Sequence, residues 1–105
     1  MDKQDLKQLK KYFNEDKKFI KDGYYRLRDL GNSHYELAFL EAGPCGDTTI
    51  HPQITIDATK NELIPIKLLD LAVSPTLRLT QEEHKNELCE ALEQLLQRFY
   101  QVIEE

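Results

Sequence analysis

At 105 residues and 12.3 kDa, with 40% hydrophobic and 31% charged residues, the chain has the composition of one globular domain with a modest core. Its net charge of −5 argues against general affinity for nucleic acid, whose phosphates reward clustered Lys and Arg. No apolar run approaches the roughly 20 residues of a membrane-spanning helix, and MDKQDLKQLKKYF lacks the apolar stretch of a secretory signal, so the expected compartment is the cytoplasm.

Asp2 reads as the cap of a first helix, with Asp5 three residues on and Leu6, Leu9 and Phe13 along one face. The helix is expected to end between Asn14 and Lys18. Phe19 and Ile20 fit either a further helical turn or the opening of a sheet. Asp22-Gly23 is a turn signal, and Tyr24–Leu30 and His34–Leu40 are two apolar-rich runs separated by Gly31-Asn32-Ser33, the pattern of a β-hairpin. Ala42–Thr49 is the longest irregular segment. Ile54 and Ile56 alternate with polar neighbours, Asp57–Asn61 supplies a polar reversal, and Glu62–Leu68 returns as a second alternating run, giving another hairpin. Pro65 restricts that last strand to an edge or a bulge, because it has no N–H for a ladder.

Ala72–Leu79, with Ser74-Pro75, reads as a connector. Thr80-Gln81-Glu82-Glu83 has the form of a capping box, and the helix after it runs to about Ile103. Leu88, Ala91, Leu92, Leu95, Phe99, Val102 and Ile103 form its central stripe, with Glu90, Glu93, Gln94, Gln97, Gln101 and Glu104 opposite. Cys89, Leu96 and Tyr100 widen the apolar arc to about 180° of the circumference. That width calls for cover on the flank, from the N-terminal helix or from a second copy of the chain. The expected fold is α+β in the order α-β-β-β-β-α, a four-stranded antiparallel meander with an N-terminal helix and a long C-terminal helix packed on one face.

Chemistry is harder to read. The chain has no Walker loop, dinucleotide fingerprint, CxxC, HExxH or G-x-S-x-G, and no cofactor is expected. Cys45, Asp47 and His51 form the nearest approach to a constellation: all are zinc-ligand types, and a His beside a Cys lowers the thiol pKa. Their spacing matches no ligand pattern, and His34 would be the one donor available to complete a set. The plainer reading is a turn shaped by Gly and Pro, with Asp47 bonding nearby amides and His51 opening a strand. Cys45 and Cys89 are expected as free thiols, and Cys89 as a small buried hydrophobe.

The hairpin offers a second set. Tyr24, Tyr25, Arg26, Arg28 and Leu40 combine the Tyr and Arg side chains common at protein interfaces; the plainer reading is cross-strand packing. Adjacent Tyr24 and Tyr25 must point to opposite faces of a strand. Tyr25, Leu27, Tyr35, Leu37 and Phe39 make one set, and Tyr24, Leu30, Ala38 and Leu40 the other, rimmed by Arg26, Arg28 and Glu36. Tyr24 and Leu40 are expected on the open side. Charge is also divided along the chain: residues 1–28 carry nine basic and five acidic side chains, residues 80–105 two and seven. Such a division fits two ends that meet in the fold, or a basic face that meets an acidic partner.

These features describe a small cytoplasmic, non-enzymatic interaction or regulatory protein, binding a protein partner or a second copy of itself through an exposed sheet face. The alternatives are a small enzyme or metal-binding protein centred on the Gly-Pro-Cys-Gly-Asp loop, and a small-molecule-binding domain.

Overall fold

The computed structural model describes residues 1–103; Glu104, assigned above to the polar side of the last helix, lies outside them. Among these residues the order is α1 (Lys3–Lys10), β1 (Lys18–Ile20), β2 (Gly23–Gly31), β3 (His34–Ala42), β4 (Thr48–Asp57), β5 (Ile64–Asp70), β6 (Leu77–Thr80) and α2 (Gln81–Ile103). The strands form one antiparallel meander in sequence order. The sheet therefore has six strands and not the expected four. Phe19 and Ile20 open the sheet as β1, since α1 stops at Lys10, and the end of the expected connector pairs with β5 as β6.

Cross-strand register sorts the side chains by face. Leu27, Leu37, Ile54, Leu68 and Leu79 stand opposite one another on five successive strands, and all are buried. Leu88, Leu92, Leu95 and Phe99 of α2 join them in the core. Leu6, Leu9 and Phe13 complete it from the N-terminal side, with the Phe13 ring edge-on to Phe99 at 4.8 Å. Both helices thus cover the same face. The wide arc of α2 finds its flank cover in α1: Tyr100 Oη donates to Asp5 Oδ1 at 2.7 Å, and Leu96 is buried. Cys89 is the exception. It is exposed, because it falls at the edge of the arc beyond the reach of either layer.

Local chemistry explains the ends of these elements. Asp2 and Asp5 exchange side chain-to-backbone hydrogen bonds of 3.0 and 3.1 Å, so the capping box lies at α1. Lys3 N–H to Asn61 O and Leu63 N–H to Met1 O pin the N-terminus to the β4–β5 turn. At α2, the backbone N–H of Thr80 donates to His84 Nδ1 at 3.2 Å, and His84 itself has φ −134° and ψ 40°. The expected Thr80–Glu83 box gives way to a kinked first turn. Between β2 and β3, Asn32 and Ser33 have φ of 54° and 60°, the two positive values that a tight two-residue hairpin turn requires. Pro65 sits at a register shift beside Ile56, and β6 pairs only with residues 67–70, so a bulge on the β4 side and an unpaired stretch on the β6 side accommodate it. Gly23 meets a different constraint: a Cβ there would stand 2.5 Å from the Phe39 ring.

No helix among the described residues is long and apolar enough to cross a membrane.

Two measurements test this packing. Leu95→Asp places a carboxylate where the native side chain is 3% exposed; burying it unpaired costs several kcal/mol out of a total of about 5–15 kcal/mol for such domains. We expect loss of the cooperative melting transition, and a wild-type transition would remove Leu95 from the core. Burial, followed by the hydrogen bond to Asp5, pushes the Tyr100 hydroxyl up to about 12 from its ordinary 10. An unfolded chain then loses this proton before the folded one does. The stabilisation is complete below pH 10, declines as pH rises from 10 to 12, and is gone above the folded value. Tyr100→Phe should lower stability by about 1 kcal/mol at pH 7 and flatten that alkaline decline in urea titrations; an unchanged alkaline slope would contradict the assignment.

Candidate functional site: the open face of the sheet

Three cross-strand rows span the middle of the face that the helices leave open, flanked at the β2–β3 turn end by His34 and Asp57. Phe19, Tyr24, Leu40 and Ile50 form the first. Arg26, Ala38, Gln53, Leu69 and Arg78 form the second, and Arg28, Glu36, Thr55, Lys67 and Thr80 the third. Tyr24 and Leu40 stand on this side and directly opposite one another. Tyr25 points the other way into the core at 1% exposure, so it presents no contact surface to a partner.

At the centre of the face, Arg26 on β2 reaches two strands over. Its Nη2 lies 3.1 Å from Glu36 Oε1 and 3.0 Å from Gln53 Oε1. Ala38 lies between Arg26 and Gln53 in register, so the bond between them closes over its methyl group. This is why Ala38 has no exposure although no helix covers it. A larger residue there would block the guanidinium. Glu36 is itself 6% exposed and also faces Arg28 Nη1 at 3.7 Å. Arg26 Nε is buried with no hydrogen-bond partner. The guanidinium is thus held in place but not fully satisfied.

Outside this network the face divides into an aromatic end and a basic end. The Phe19 ring stands edge-on to Tyr24 at 5.1 Å, and Lys17 Nζ lies 4.9 Å from the Tyr24 ring centre. Phe19 is 55% exposed, a large value for so apolar a side chain. Leu40, at 5% exposure, is packed and not presented. Lys67 and Arg78 are exposed toward the other edge, and Arg28 is half-exposed. Arg26, Arg28, Lys67 and Arg78 thus share this face with two carboxylates, Glu36 among them and Asp57 in the adjoining row beside His34.

The Cys45, Asp47 and His51 set is dispersed. Cys45 and Asp47 are exposed in the loop between β3 and β4. His51, on β4, has its Nδ1 2.8 Å from both carboxylate oxygens of Asp70 and its Nε2 3.6 Å from Glu41. Sequence reading missed Asp70 because 19 residues separate it from His51; strand pairing alone unites them. His34, the suggested fourth donor, turns its Nδ1 toward the backbone carbonyl of Asn32 at 2.9 Å. Among the described residues no group of three or more His, Cys, Asp or Glu side chains is arranged to hold a metal ion.

Compared with known proteins, the chain matches no family model, no curated protein and no solved structure.

The Arg26 network makes a quantitative expectation. Glu36→Ala strands a largely buried guanidinium and should cost about 2–3 kcal/mol, less than a fully buried pair because Gln53 remains. Arg26→Met with Glu36→Leu should recover most of that loss, since apolar replacement of both partners removes the desolvation cost as well. Guanidinium unfolding of the single and double variants measures the coupling, and additive effects would show that the two side chains do not depend on one another.

Proposed function

We propose that the protein is a non-enzymatic binding module that takes an acidic segment of a protein partner across the open face of its sheet. One observation carries this reading: a chain of net charge −5 collects Arg26, Arg28, Lys67 and Arg78 on one face against two carboxylates, Glu36 and, at the β2–β3 turn end, Asp57. Complementary charge of this kind steers association and fixes orientation more than it adds affinity. Affinity needs apolar anchors, and the exposed Phe19 beside Tyr24 supplies them at one end of the rows. Arg26 is already tied to Glu36 and Gln53, so it is presented in a fixed position and loses little freedom on binding.

A protein partner fits this face better than nucleic acid does. The cations are few and spread over several strands, and the glutamates of α2 on the other side of the molecule repel a long polyanion. Tyr24 and Phe19 act as contact residues, whereas Leu40 supports the sheet beneath them.

The test uses a peptide rich in Asp and Glu with one aromatic residue, titrated into the full chain and followed by amide shifts. Shifts should gather on β1, β2, β5 and β6, weaken with salt, and fade about tenfold in affinity in the Arg28→Glu, Arg78→Glu double variant, a change of about 1.4 kcal/mol. Shifts confined to the helices, or equal affinity for a single-stranded oligonucleotide of the same charge, would overturn the proposal.

A further inference from the structure

A second site lies on the opposite side of the sheet, where the end of the helix-covered face opens into a cleft of about 400 Å³ beside α2. Pro52, Leu68, Leu79, Ala91 and Leu95 give it an apolar floor. Its volume falls within the range of small-molecule pockets, about 300–1,000 Å³. The rim is polar and predominantly acidic. Glu87 and Glu90 project from the same face of α2 as Ala91 and Leu95, and His51 and Asp70 close the strand side.

The cations at this rim are committed elsewhere. Arg98 pairs with Asp22 at 3.2 Å and lies 3.7 Å over the Phe39 ring. His51 donates through Nδ1–H to Asp70, whose Oδ1 also accepts the backbone N–H of Ala72 at 3.0 Å. Asp70 is buried and doubly engaged, which fixes the Nδ1 side of the ring, and Nε2 faces Glu41 Oε1 at 3.6 Å. Glu87 and Glu90 are exposed and form no ion pair with any described residue. The cleft thus offers an apolar floor and two carboxylates outside any ion pair among the described residues, a set that rewards positive charge and disfavours an anion.

We propose that this cleft binds a small amphiphilic amine. Its aryl or branched alkyl body lies on the leucine floor, and its ammonium group is held at the rim by Glu87 and Glu90. The site is independent of the open sheet face and stands or falls separately from the function proposed above.

The probe is 2-phenylethylamine, titrated into the full chain with 3-phenylpropionate and 2-phenylethanol as isosteres of different charge, and followed by amide shifts. The amine should give saturable shifts at Leu79, Ala91 and Leu95 with millimolar affinity, reasonable for a ligand of this size. The carboxylate should bind at least about tenfold more weakly, and the alcohol between the two. Glu87→Gln with Glu90→Gln, both at exposed positions, should reduce amine affinity about tenfold while leaving the alcohol unchanged. Ala91→Leu, which fills the floor, should weaken the amine and the alcohol alike. Equal shifts from amine and carboxylate, undiminished amine binding in the double variant, or no saturable shift at the three floor residues would overturn the proposal.

Discussion

The packing of one apolar helix stripe on one cross-strand row holds this molecule together. Leu27, Leu37, Ile54, Leu68 and Leu79 form a continuous line across five strands, and Leu88, Leu92, Leu95 and Phe99 of α2 join the same core. Each fully buried side chain of this type contributes roughly 1.5–3 kcal/mol, so a few of them match the whole net stability of a small domain. The remaining architecture follows from this contact. It determines which face of every strand is covered, and α1 then fills the flank that α2 leaves, tied to it by the Tyr100–Asp5 hydrogen bond.

Covering one face leaves the other to satisfy itself. A bare antiparallel sheet face is normally polar, yet this one contains Ala38, Leu40 and Tyr24. The Arg26 side chain resolves part of that conflict by lying across Ala38 and binding Glu36 and Gln53. The same arrangement gives the face its character. With its carboxylate already engaged, Glu36 cannot neutralise Lys67 and Arg78 further along the rows. The basic surface on an acidic protein is therefore a by-product of how the sheet protects its own backbone and small side chains, and it is that surface to which we assign partner binding.

The two proposed sites use the two sides of one sheet, with opposite charge. On the open side, fixed cations border exposed aromatic rings. On the helix side, acidic residues of α2 border a leucine floor, beside an imidazole held by Asp70. This division differs from the one along the chain: Lys3, Lys7 and Lys10 of α1 lie on the helix side, and Lys67 and Arg78 of the open face come from outside residues 1–28. The chain ends also meet, through Tyr100–Asp5 and Arg98–Asp22; in the second pair the cation comes from the acidic C-terminal end.

By itself the sequence determined what depends on neighbours in the chain. Two-residue alternation marked both central hairpins, 3.6-residue periodicity marked the stripe of α2, Asp2 and Asp5 marked the start of α1, and adjacency placed Tyr24 and Tyr25 on opposite faces. The tertiary structure decided whatever depends on partners distant in the chain. β1 and β6 are strands of three and four residues, too short to carry a period, and they exist because β2 and β5 offer unpaired edges. Cys89 is exposed because the covering layers end short of it. His51 meets Asp70, 19 residues away, because strand pairing brings the two together. Local patterns encode which way a side chain can point; what it meets there is set by register across the sheet, which no stretch of contiguous residues contains.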